Sequence, residues 1–266
     1  MVEVSVASLV FALLLASSAF GLYLQGKLAE RHRGRDTIES VRVVISILVT
    51  FTALVLGLLT SSVKTAFDEY GDHLRGYGID IIELDQRLRE YGDLASPART
   101  LLRSYVAAAI ADTWPDEKRP PGEYPTQISR TGPDGAESEE LGALLVKLDK
   151  IIRGLALADD FHRDLAGVLR ARMTQTMELR WRLIETAAPT VSWPLMSLMT
   201  SWLVIVFAVF GLISPRNRVV YVTMLLCAFS ISSAVFMILE LDTPLTGWIV
   251  ASSQPLRDAL SHIDAP

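Results

Sequence analysis

Residues 43–63 read VVISILVTFTALVLGLLTSSV, twenty-one positions without one charged side chain. A bilayer core of roughly 30 Å needs about 20 apolar residues at about 1.5 Å rise each. This stretch is therefore long enough to cross. Lipid offers the backbone no hydrogen-bond partner, so the chain must satisfy its own N–H and C=O groups by coiling into an α-helix.

Three further blocks meet the same test: Val4 to Leu24, Val191 to Ile213 and Val219 to Leu239. The expected fold class is all-α, a polytopic membrane protein with four transmembrane helices in two hairpins. Tyr23, Trp193 and Tyr221 sit near block ends, where amphipathic rings favour the interface. No basic residue precedes the first block, and it outlasts the apolar region of a signal peptide, so it is expected to be retained as a span.

Composition agrees. Half of the 266 residues are hydrophobic and the mean hydropathy is +0.34, yet 21% are charged. Both values hold together only if apolar residues are gathered into blocks. A net charge of −5 leaves no basic stripe for phosphates, which argues against a nucleic-acid partner. The single cysteine, Cys227, excludes an intramolecular disulfide and lies inside an apolar block as a small hydrophobe.

The blocks divide the chain into a hairpin (1–63, spans about 4–24 and 43–63), a helical extramembrane segment (64–190) and a second hairpin (191–240, spans about 191–213 and 219–239). An interfacial tail (241–266) follows. The hairpin connections, GKLAERHRGRDTIES (26–40) and SPRNR (214–218), are short. They and their flanks carry Lys27, Arg31, Arg33, Arg35, Arg42, Arg216 and Arg218, against Lys64, Arg75, Arg180 and Arg182 at the opposite span ends. This excess leans towards hairpin connections on the cytoplasmic side of a bacterial inner membrane.

Within the middle segment, IDIIELDQRLREY (79–91) puts Ile81, Leu84, Leu88 and Tyr91 on one helical face. Ser96 before Pro97 suggests a helix start, with Ser96 as N-cap. Five prolines and three glycines between Pro115 and Gly135 interrupt regular structure, so a flexible loop is expected at about 115–136. Helix resumes near Glu137, with a break expected around Ala158, and Leu141, Leu144, Leu145, Leu148, Ile151 and Ile152 form a core stripe. Glu139, Glu140, Asp159 and Asp160 read as solvated helix surface.

No catalytic signature is present. The four histidines lie far apart without metal-ligand spacing, and no nucleophile elbow, P-loop or dinucleotide fingerprint occurs. The expectation is a non-enzyme without cofactor or metal. Two features stand out instead. Ser46, Thr50, Ala53, Gly57, Ser61 and Lys64 follow steps of four, three, four, four and three along the second span, placing small or polar groups on one face. Such a stripe either lets helices pack closely or, repeated around an oligomer axis, lines a narrow wet path. Glu240 and Asp242 end the fourth span, where they could attract ions or serve structurally. In addition, Gly71, Gly76 and Gly78 fall together in EYGDHLRGYG (69–78) as hinge candidates, with close backbone packing as the other reading.

The stretches VVISILVTFTALVLGLLTSSVKTAFD (43–68), DIIELDQRLREYG (80–92) and LELDTPLTGWIVASSQPLRDAL (239–260) resemble a bacterial family of uncharacterised four-span membrane proteins called bestrophin-like. The resemblance implies a subunit of an oligomeric, pentameric ion channel, with the second span lining the pore and small ions as its cargo. It also implies a cytoplasmic middle segment, opposite to the charge count, and a neck of bulky apolar residues where this stripe is small and polar. The other function the residues allow is a non-conducting membrane-anchored interaction or sensing module acting through the helical middle segment.

Overall fold

The computed structural model describes residues 2–27, 35–125, 130–131, 137–156 and 159–265. Arg31, His32 and Arg33 of the first connection, Gly132 to Gly135 of the proline-rich segment and Ala158 lie outside the described residues. Helices dominate: α1 (Val2–Lys27), α2 (Arg35–Tyr91), α3 (Ser96–Thr113), α4 (Glu139–Arg153), α5 (Asp160–Thr186), α6 (Trp193–Ile213), α7 (Arg218–Leu241) and α8 (Gln254–Asp264). Residues 130–131 and 137–138 pair as two-residue antiparallel strands. The chain forms two compact units, and α2 contributes to both.

The first unit comprises Met1–Ala66, Thr190–Asp242 and Gly247–Ile249. Its four helices α1, α2, α6 and α7 are long and apolar enough to cross a membrane. Here α1 packs against α6 and α7. Its covered side runs Ala7, Val10, Leu14, Ser17, Ser18 and Gly21, small towards one end. At that end the α1 and α6 backbones nearly touch: a Cβ on Gly21 would lie 1.9 Å from the Ala208 carbonyl oxygen, and one on Gly211 would lie 2.2 Å from that of Ser18. Only glycine permits so close a crossing, as small residues do between membrane helices. Gln25 Nε2 donates to the Ser214 carbonyl at 2.7 Å beside it.

The second unit comprises Phe67–Pro189, Thr243–Thr246 and Val250–Pro266. Tyr70, Leu74, Tyr77, Ile81, Leu84, Leu88 and Tyr91 on α2 alternate steps of four and three, so one stripe of that helix enters the core. Leu102 and Ile110 of α3, Leu145 and Leu148 of α4, Leu169 and Met173 of α5, and Leu256 and Leu260 of α8 meet it. Burial of each such side chain stabilises by roughly 2 kcal/mol. A one-turn 3-10 helix, Asp93–Ala95, leads into α3, so Ser96 is already helical. The cap residue is Ala95 rather than the expected Ser96, and no side-chain bond caps that end. By contrast Ser138 caps α4 through Leu141 N–H, and Asp159 caps α5 through His162 N–H. Glu139, Glu140 and Asp160 stand in first turns, where the helix dipole favours negative charge.

α8 is fastened by cations at its carbonyl end. Arg89 Nη2 donates to His262 O at 2.6 Å and Ala265 O at 2.8 Å. Arg89 and Arg99 both grip the buried Asp85 carboxylate, at 2.7 and 2.8 Å. One carboxylate thus holds two guanidiniums that in turn hold the helix terminus. Residues 115–125 are tied to α3 by Arg103 donating to Pro121 O and Ser104 to Glu123 O.

Candidate functional site

The span portion of α2 presents two unlike faces. Ile45, Thr52, Leu59 and Val63 are buried. Ser46, Thr50, Ala53, Gly57, Ser61 and Lys64 are all exposed on the chain. At about 100° per residue the six fall within about 80° of arc, centred about 130° from the buried line. Between the exposed stripe and the far side stand Ile47, Leu54, Leu58 and Phe51, each more than half exposed. A strip of small and hydroxyl-bearing groups therefore borders a bulky apolar one, and both are exposed. An added Cβ at Gly57 would have nothing within 4 Å.

The stripe's hydroxyls are not idle. Ser46 Oγ donates to Arg42 O at 2.9 Å and Thr50 Oγ1 to Ser46 O at 2.8 Å. Each donor is returned to the helix backbone, leaving oxygen lone pairs facing outward. At Ser46 and Thr50 the surface therefore offers acceptors to water or a cation. Ala53 also lines a cleft of about 490 Å³ among α2, α6 and α7, with Thr52, Leu56, Phe207 and Met224. Cys227, exposed on α7, opens into it.

The two acids at the end of α7 are buried, with specific partners. Asp242 is the C-cap residue, and its Oδ1 accepts from Thr190 N–H at 2.7 Å, Val191 N–H at 2.9 Å and Thr190 Oγ1 at 3.0 Å. It thereby orders the lead-in to α6. Glu240 is fully buried, and its Oε2 accepts from Trp248 N–H at 2.7 Å. Gly247, at φ +101°, brings that turn onto the carboxylate: a Cβ there would sit 2.4 Å from Glu240 Oε2. Both acids are held inside the first unit, 52 and 8 residues from the backbone groups they bind.

The three clustered glycines separate by environment. Gly78 is pressed on Pro255, whose carbonyl oxygen would be 2.8 Å from an added Cβ. Gly71 and Gly76 have open space. All three stay helical within α2.

Two groupings were not foreseen from the sequence. Gly21 meets Ala208 and Gly211 meets Ser18 across α1 and α6, a crossing that the spacing of Ser17, Ser18 and Gly21 hints at on one helix only. Tyr77, Tyr105 and Arg180, from α2, α3 and α5, converge in the second unit. No local pattern joins residues so far apart.

Residues 10–256 match the family described as Bestrophin-like domain. No individually curated protein matches the chain. Among solved structures it is similar to a bacterial bestrophin homolog from Klebsiella pneumoniae solved by zinc phasing, with TM-score 0.65 and 14% identity over 96% of each chain. A variant of the Klebsiella pneumoniae homolog gives TM-score 0.64 at 14% identity over 96% of each. A variant membrane protein gives 0.66 at 13% identity, over 97% of this chain and 96% of that one. These likenesses show a shared fold, and the family match spans all four apolar helices and both units. The chain is a membrane protein that belongs to the bestrophin-like family.

Proposed function

We propose that the chain is one subunit of an oligomeric ion channel of the bacterial inner membrane, with the small-residue stripe of the α2 span facing the conduction path. The exposure of that stripe carries the reading. Were Ser46 to Ser61 a packing surface within the subunit, it would be buried there, and the buried positions of the span are Ile45, Thr52, Leu59 and Val63 instead. A hydroxyl-bearing face left uncovered beside bulky apolar side chains suits a narrow aqueous path around an axis, with Lys64 at its mouth. Family membership supports assembly into an oligomer, and the likeness of fold to bacterial bestrophin homologs supports the arrangement of the spans. Nothing in the site assembles a nucleophile with a base, so the reading is transport rather than catalysis.

The test is ion flux from purified protein in liposomes, compared with Gly57→Trp and Thr50→Trp. Open space at Gly57 means that the Cβ of the new residue meets nothing within 4 Å in its own subunit. Altered conductance from an intact oligomer supports the reading. Loss of the oligomer would make the stripe a contact between subunits, and favour the non-conducting anchored module. Absence of flux at every voltage and pH tried, from a verified oligomer, would overturn the channel.

A further inference from the structure

We propose that a cavity inside the second unit, bounded by Tyr70, Tyr77, Tyr105, Ser138 and Arg180, binds a compact monovalent anion of halide or nitrate size. Hydrogen-bond accounting carries the argument. Arg180, on α5, is 9% exposed. Its neighbours on the same helix have acidic partners, Arg172 with Glu83 and Arg182 with Glu178. Among the described residues Arg180 has none. Its Nη2 donates to the Ser138 carbonyl at 3.2 Å, and it reaches the Tyr105 hydroxyl. A guanidinium has five N–H donors and no acceptor, so these two contacts leave donor capacity over on the cavity lining.

The phenols add donors. Tyr77 and Tyr105 hydroxyls lie 2.6 Å apart, both buried. Whichever one donates, the other's proton has no acceptor among the described residues. Tyr70, 4% exposed on the same lining, makes no hydrogen bond among the described residues. Burial pushes Tyr77 well above the usual phenol range and raises Tyr105 as well, so both stay protonated donors. Ser138 is the N-cap of α4, which places the positive end of that helix beside the guanidinium. The one carboxylate on the lining, Asp112, is half-buried.

Hydrogen-bond donors thus outnumber acceptors in a space of about 90 Å³, which holds about three waters or one compact anion with a water. Leaving an arginine buried without a counter-charge is costly, and a bound anion removes that cost. Leu74, Leu141 and Leu183 add apolar wall around these donors.

The intact oligomer is crystallised with sodium bromide, and the bromide anomalous signal is mapped. A peak between Arg180 and the tyrosine pair is expected in the parent protein. In solution, its thermal midpoint should rise with bromide or nitrate over gluconate at equal ionic strength. Arg180→Met should weaken that response by about tenfold or more, since a charge-assisted contact is lost, and Tyr105→Phe should weaken it less. Water alone in the parent cavity at saturating bromide would overturn the proposal, even if the Arg180 variant fails to fold. So would an equal anion response in a folded Arg180→Met protein.

Discussion

Alanine at Gly21 gives a sharp test of how the membrane unit is built. Its Cβ would lie 1.9 Å from the Ala208 carbonyl oxygen and 2.9 Å from the carbonyl carbon and from Leu212 N. Side-chain carbons do not approach closer than 3.0 Å, and the obstacle is backbone rather than a flexible side chain. The helices must therefore part by about 1 Å, in an interior that is close-packed. Overpacking of this kind costs about 3 kcal/mol, offset by about 1 kcal/mol because alanine is the better helix former. The net expectation is a loss of about 2 kcal/mol. Gly57→Ala makes the same chemical change where nothing lies within 4 Å, so only the gain remains, about 1 kcal/mol. Gly211→Ala should behave like Gly21→Ala, and the double variant should cost less than the sum, because one parting of the helices relieves both contacts. The assay is unfolding from mild detergent by titration with sodium dodecyl sulfate, followed by circular dichroism. If Gly21→Ala proves as stable as Gly57→Ala, the crossing is not where the reasoning places it.

Asp242→Ala should cost about 3 kcal/mol, since the Thr190 and Val191 amides lose a charged acceptor in a half-buried turn. Faster hydrogen exchange at those two amides would accompany it, and unchanged exchange would refute the capping role. Burial raises the Asp80 carboxyl above its ordinary value, against the pull of Thr176 and Arg172. The stability gap between parent and Asp80→Asn should therefore shift in the parent's favour as pH falls from neutral through the raised value. Glu117 is held low by Ser253, then Arg257. Its contribution is lost as pH falls through that depressed value, so the gap to Glu117→Gln should close at low pH. Thermal midpoints against pH would expose an error if both gaps moved in the same direction. Cytoplasmic hairpin connections predict that Ser214→Cys, in a Cys227→Ser background, resists an impermeant maleimide in intact cells and reacts after lysis; labelling from outside would reverse the orientation.

The four spans, their all-helical class and the spacing of the α2 stripe are legible in the residue order, because lipid leaves a backbone one solution and helical periodicity maps position to face. The buried lines of α2 and α4 in the second unit follow from apolar spacing in the same way. Cap chemistry is less legible: Ser96 has the right residue type, yet a preceding 3-10 turn moves the cap to Ala95. Which side of the α2 span would be buried was open, since packing and pore readings share one pattern, and only the tertiary structure leaves Ser46, Thr50, Ala53, Gly57, Ser61 and Lys64 exposed. The partners of Asp242 and Glu240, the contact of Gly21 with Ala208, and the meeting of Tyr77, Tyr105 and Arg180 likewise belong to tertiary structure. A chain written in order records what each residue prefers locally. Which distant donor faces which acceptor is decided by how whole helices pack, and that depends on every side chain between them.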